Sequence, residues 1–195
     1  MKVLVACEYS GTVREAFRKL GHDAWSCDII PSDDNSPYHF QCDVFEVINQ
    51  GWDLMIAHPP CTYLSNAGAR FLYPKKQLNV DRLKKGLEAR DFFMRLYYSN
   101  IPKICIENPV ASSIFNLPKS TQYIQPYEHG HPFKKKTCLW LKNLDQIKPT
   151  HTVEAAESTK VVGNWFNKGG VNRQKNRAKT FQGIADAMAQ QWGNL

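Results

Sequence analysis

The stretch "AHPPCTYLSNAG", residues 57–68, sets two prolines directly before Cys61 in a polar loop that follows the apolar run "WDLMI". A thiol in such a place is either a small buried hydrophobe, the commonest role of a free cysteine, or a nucleophile held at a strand end. Covalent chemistry by a thiol needs a partner that holds or delivers a proton. Glu107 and Asn108 stand at the end of a second apolar run, "KICIENP", and acids close others: Asp28 after "HDAWSC" and Asp43 after "HFQC". Glu8 opens the turn 8–11 that follows "KVLVAC". Any one of these acids alone would read as a helix cap or a solvated turn. Five polar ends after five apolar runs form a pattern.

Elements of alternating type must position those ends. "KVLVAC" (2–7) predicts a strand, and "GTVREAFRKLG" (11–21) a helix with Val13, Ala16, Phe17 and Leu20 at helical spacing. "HDAWSCDI" (22–29) predicts a second strand ending at Asp28, and "HFQC" a short third ending at Asp43. A short helix "VFEVINQG" precedes the fourth strand, "WDLMIA" (52–57), whose second half is wholly apolar, as in buried parallel strands. The run 77–100 predicts a long helix with Leu83, Leu87, Met94 and Tyr97 on one side. "KICIENP" predicts a fifth strand ending at Glu107. "TQYIQPY" and "KTCLWLK" then predict two strands pairing antiparallel, and "KTFQGIADAMAQQWG" a final helix. Strands alternating with helices imply a doubly wound, mostly parallel sheet with helices on both faces, whose ligands lie beyond the carboxyl ends of the strands.

The 195 residues, 43% hydrophobic, suit one globular domain with a real core. No stretch approaches the roughly 20 apolar residues of a membrane span, and the first residues do not read as a leader peptide. The six cysteines are scattered singly, without zinc-site spacing, so the expectation is a reduced, cytoplasmic protein with no metal and no membrane partner. The net charge of +7 is uneven: between Ser158 and Ala185 there is no acid, while Lys160, Lys168, Arg173, Lys175, Arg177 and Lys179 supply six positive charges beside Trp165 and Phe166. Such a mixture suits a phosphate backbone next to unstacked bases, the alternative being a solvated basic tail. Residues 145–179 lack clear periodicity and read as one long basic loop within the single domain, 1–195.

In order, the pieces resemble the DNA cytosine-5 methyltransferases, particularly the small phage-encoded ones. "CEYSGTVREAFRKLG" is similar to the family's first motif, "PPCTYLSNAG" to its nucleophile motif with Ser65 and Gly68 kept, and "IENP" to its Glu-Asn motif. "GHPFKKKTCLWL" resembles the basic strand motif, and "GIADAMAQQW" the closing helix. This chain departs from the pattern by keeping only Gly11 of a richer glycine turn, by Thr62 in place of a glutamine, by lysines 134–136 in place of arginines, and by lacking the closing asparagine.

The resemblance implies a Rossmann-like fold binding S-adenosyl-L-methionine through Cys7, Glu8, Tyr9, Ser10 and Gly11, through Asp28 and Ile29 at the ribose, Asp43 and Val44 at the adenine, and His58 and Pro59. It implies methyl transfer to carbon 5 of cytosine in DNA. Cys61 would be the thiolate that adds to carbon 6 and Glu107 the group at ring nitrogen 3, with Asn108 and Pro60 fixing the loop. DNA, flipped or single stranded, would meet Ser65, Lys135, Lys136, Trp165, Lys168, Arg173, Lys175 and Arg177. A target-recognition domain does not fit in the 35 residues of 145–179, so that loop would serve instead. The expected state is a monomer, with a dimer as the alternative. Two other readings stay open: an amino-methyltransferase acting on an exocyclic nitrogen, suggested by "HPPCTY", and a cofactor- or DNA-binding adaptor without turnover.

Overall fold

The computed structural model describes residues 1–156 and 178–194. Among them the apolar runs form β1 (Lys2–Ala6), β2 (Asp23–Asp28), β3 (His39–Gln41), β4 (Leu54–Ala57), β5 (Lys103–Pro109), β6 (Gln122–Ile124) and β7 (Thr137–Lys142), in one sheet of order β3-β2-β1-β4-β5-β7-β6. The first five strands are parallel, and β7 runs antiparallel to both β5 and β6. The helices are α1 (Thr12–Lys19), α2 (Val44–Val47), α3 (Asn66–Ala69), α4 (Val80–Tyr97) and α5 (Gln182–Trp192). This is the expected Rossmann-like arrangement, a mostly parallel sheet with an antiparallel part near its C-terminal end.

The unbroken apolar strands follow from burial on both faces. Val3 and Val5 of β1, with Leu54 and Ile56 of β4, pack under α1 and α5 against Phe17, Ile184, Met188 and Trp192. Their neighbours Leu4, Ala6, Met55 and Ala57 face the other way, with Val44 and Val47 of α2 and Phe93 and Leu96 of α4. Each large side chain taken fully out of water contributes about 1.5–3 kcal/mol, so the central strands dominate the core.

Three expectations change in detail. β5 runs on through Pro109, because β7 pairs with it past Glu107 as far as Pro109↔Thr137. Leu87 does not join the buried side of α4: it is exposed, and the helix seats itself on Gly86, Phe93 and Leu96. The first part of the 145–179 loop is not free surface. Ile147 is buried, the Trp192 indole donates to the Asp145 carbonyl at 3.0 Å, and Gln191 brackets Lys148.

Gly86 admits the Phe115 ring, which is 1% exposed, against the α4 backbone, and a Cβ there would collide with that ring. Alanine gains up to about 1 kcal/mol of helix propensity over glycine, whereas overpacking costs about 1–3 kcal/mol. The G86A protein is therefore expected to be less stable, its thermal midpoint falling about 2–4 °C for each net kcal/mol. Calorimetric melting of the two proteins checks this.

Candidate active site

The sheet register aligns the polar ends. Ala6 pairs with Cys27 and with Ala57, and Ala57 with Ile106, so the next residues, Asp28, Cys7, His58 and Glu107, form a row across the carboxyl edge. The His58 N–H continues the ladder to the Ala6 carbonyl at 2.9 Å. The fold thus brings four strand ends to one place.

At the first turn Cys7 takes a left-handed backbone, φ 58°, and Gly11 another, φ 71°. Glu8 is buried, and its carboxylate accepts from the Val13 N–H at 2.7 Å and the Arg14 N–H at 3.2 Å, closing the N-terminus of α1. Burial pushes this carboxyl above its ordinary value, against the opposing pull of His58, those N–H groups and Arg14. Burial likewise raises the Cys7 thiol, with Asp28 adding to the effect. A side chain at Gly11 would strike the Arg14 guanidinium and the Asp34 carboxylate. That guanidinium, fully buried, donates to Asp34, to Ser26 at 2.8 Å and to Glu15 at 2.9 Å, and the Asp33 N–H meets the Tyr9 carbonyl at 2.9 Å. The loop after β2 is therefore tied to the glycine turn. Arg14 and Asp34 escaped the sequence reading, because one arginine in an amphipathic helix carries no mark of its burial.

Asp28 and Asp43 converge from neighbouring strands. The residues before them, Cys27 and Cys42, bring their sulfurs to 3.9 Å. One Asp28 oxygen accepts from the Ile30 N–H at 3.2 Å; burial raises its carboxyl, and Ile29 beside it is 75% exposed. A hydroxyl acceptor next to an apolar cover fits the ribose and base of a nucleoside. Asp43 caps α2, accepting from the Phe45 N–H at 2.9 Å within a capping box with Glu46, while Val44 is buried.

His58 and Glu107 make the most specific contact on this edge: Nδ1 to Oε2 is 2.8 Å, with the two side chains only 8% and 13% exposed. Burial pushes the Glu107 carboxyl up, but the hydrogen bond and charge of His58, with Lys135, carry it below its ordinary range. Burial depresses the His58 ring, and Glu107 and Glu8 together raise it above its ordinary value against Lys135. The two directions agree on an imidazolium beside a carboxylate. Lys135 thus belongs to this pair electrostatically, and its Nζ lies 5.7 Å from the Phe181 ring, whereas Lys136 turns to the Tyr123 ring at 3.9 Å. Asn108, 1% exposed, has no hydrogen bond from either atom of its side-chain amide among the described residues. An unmet buried amide costs about 1–3 kcal/mol.

In the thiol loop Pro59 is buried, Pro60 exposed and Cys61 half-buried. The Cys61 carbonyl accepts from the Leu64 and Ser65 N–H groups at 3.2 and 3.0 Å. Ser65 is buried as the cap of α3, accepting from the Gly68 N–H at 3.2 Å. Arg82, unmarked in the sequence reading, reaches from α4 to the Thr62 carbonyl at 3.1 Å and the Gly68 carbonyl at 3.0 Å. Beyond the loop runs a surface that the sequence reading also missed: Arg70, Lys75, Lys76, Lys84 and Lys85 are exposed with Phe71 and Tyr73, and Asp81 is the sole acid between 70 and 85. Trp165, Lys168, Arg173, Lys175 and Arg177 lie outside the described residues. Lys179 is described, and it pairs with Asp33 at 2.6 Å, so its charge is already matched.

A pocket of about 410 Å³ opens between Thr12 and the segment 179–182, lined also by His131 and Phe133. None of the residues assigned to the cofactor lines it. Among the described residues no cluster of His, Cys, Asp and Glu could hold a metal ion, and no helix is long and apolar enough to cross a membrane. All six cysteines carry free thiols.

No family model and no curated protein matches the chain by sequence. By structure it is similar to a protein assigned as a DNA modification methyltransferase encoded within a prophage of E. coli, with 16% identity and a TM-score of 0.49, covering 78% of this chain and 51% of that one. It is similar also to the methyltransferase EhMeth of Entamoeba histolytica, with 15% identity and a TM-score of 0.49, covering 79% and 57%. The chain thus spans little more than half the length of either.

Proposed function

We propose that this protein is an S-adenosylmethionine-dependent methyltransferase acting on carbon 5 of cytosine in DNA. The observation that supports it most is the edge row itself: a buried carboxylate, held by a histidine, on the strand next to the one that leads into the Pro-Pro-Cys loop. Carbon 5 of cytosine is a poor nucleophile. Addition of the Cys61 sulfur to carbon 6 turns the base into an enamine, and Glu107 at ring nitrogen 3 keeps negative charge from building there. Once carbon 5 carries the methyl group, a water molecule takes the carbon-5 proton and the carbon–sulfur bond breaks, returning the thiolate. Bound S-adenosylmethionine supplies the methyl group that carbon 5 takes. The Gly11 turn, Asp28 with Ile29, and Asp43 would hold it, although Glu8 has both carboxylate oxygens committed to α1. The base must leave its stack to reach these groups, a cost of a few kcal/mol. Intact-mass analysis after incubation with DNA containing 5-fluorocytosine tests the reading: a covalent adduct is expected, and its absence from folded, cofactor-bound protein overturns carbon-5 chemistry.

The cationic surface 70–85, next to the thiol loop, supplies the DNA-backbone contact in this reading. Replacing Lys75, Lys76 and Lys85 together by glutamine is expected to weaken binding and to reduce the slope of log affinity against log salt by about two to three, at nearly one per phosphate contact. Titration of a labelled duplex and a labelled single strand at several salt concentrations checks it. An unchanged slope assigns the backbone contact elsewhere.

A further inference from the structure

We propose that His58 is a positioning residue that acts through Glu107, occupying Oε2 through its Nδ1–H at 2.8 Å and storing the proton that Glu107 lends to the target base. The inference rests on the methyltransferase reading above. Its ground is geometric. The register that aligns Ala57 with Ile106 sets His58 and Glu107 side by side on the same edge, both nearly closed to water, so each is the other's principal solvent. With Oε2 taken by His58, Oε1 is left for ring nitrogen 3.

The charged groups facing His58 are Glu107 on β5, Glu8 in the turn after β1, and Lys135 just before β7. Two carboxylates against one ammonium outweigh the opposing effect of burial and hold the ring's proton to a pH above its ordinary range. A lone carboxylic acid would give up that proton near its ordinary value of about 4.3. As the Cys61 sulfur adds to carbon 6, the Nδ1–H bond breaks and an O–H bond forms on Glu107. The neutral carboxyl, freed from its ion pair, turns and gives the proton to ring nitrogen 3, ending again as a carboxylate. The imidazole is left neutral with its proton on Nε2, a buried atom that no group among the described residues engages. Expulsion of the thiolate returns the proton by the same route.

Two measurements test the role. Nuclear magnetic resonance titration of the His58 ring, needing neither DNA nor turnover, compares the unaltered protein with E107Q: the ring is expected to lose its proton at a pH lower by about one unit or more in the variant. Equal titration in both overturns the inference. The second measurement is the pH profile of kcat in H58N, whose amide still donates to Oε2 but stores no proton, with H58Q as the substitute if H58N does not fold. Its alkaline limb is expected to move to lower pH, so that activity falls about 10-fold or more at pH 8 and by a clearly smaller factor at pH 5.5, with KM for DNA unchanged. A profile superimposable on that of the unaltered protein overturns the role. Failure of the unaltered protein to methylate carbon 5 at any pH overturns the carbon-5 reading and the role with it, and the titration still decides whether the pair shares its proton.

Discussion

Replacing Cys61 by serine is expected to remove the adduct with 5-fluorocytosine DNA and to lower methyl transfer roughly 1000-fold or more, because a hydroxyl at neutral pH is a far weaker nucleophile than a thiol. Cofactor binding should survive. Cys61 contributes its carbonyl to the loop, accepting from Leu64 and Ser65, and serine keeps those bonds. Calorimetric titration with S-adenosylmethionine and its demethylated product, beside a methyl-transfer assay on DNA, separates the two effects. Full activity in C61S would eliminate carbon-5 chemistry and favour transfer to an exocyclic nitrogen, for which no thiol is needed. Cofactor binding without turnover in the unaltered protein would favour the adaptor reading.

The E107Q protein is expected to lose roughly 100-fold or more in kcat, as for removal of a positioned proton donor, with little change in DNA affinity. It also carries a stability signature. Glu107 titrates below its ordinary range in the fold, so its contribution is present above about pH 4.3 and is lost as pH falls through the folded value. His58 titrates above its ordinary value, so its contribution is present below about pH 6.5 and is lost as pH rises through the folded value. The difference in unfolding free energy between the two proteins should therefore be largest near pH 5.5, at about 1–3 kcal/mol, and smaller at pH 9. Urea denaturation at the two pH values measures it. An equal difference at both would mean that the pair is not ionic.

Much of this edge was legible in the chain. The apolar runs name the strands, since only segments buried on both faces dispense with alternation. Their polar ends name the candidate residues, since ligands of such sheets lie beyond the carboxyl ends. Glu8, Asp28, Asp43, Cys61 and Glu107 could all be marked in this way, and so could the antiparallel pairing of the last two strands, by the short connection between them. These features are local. Each depends on a few consecutive residues and the backbone geometry that they permit.

What the sequence could not decide is which of these residues meet, because that depends on register between strands distant in the chain. His58 and Glu107 are 49 residues apart, and only the pairing of β4 with β5 makes them neighbours. Glu8 is marked in the sequence as a polar strand end, and it is the fold that brings the Val13 and Arg14 N–H groups of α1 onto its two oxygens. Arg14 and Arg82 look like solvated charges on helices until packing buries the one and turns the other onto the thiol loop. Leu87 is exposed where the helical spacing put it on the buried side, and Gly86 is buried instead, because α4 is rotated by what it must cover, the Phe115 ring, and periodicity fixes the width of a helical stripe but not the neighbour that it faces. A side chain's type and spacing are written along the chain, whereas its charge state and its partners are set by the groups that long-range contacts bring within a few ångströms.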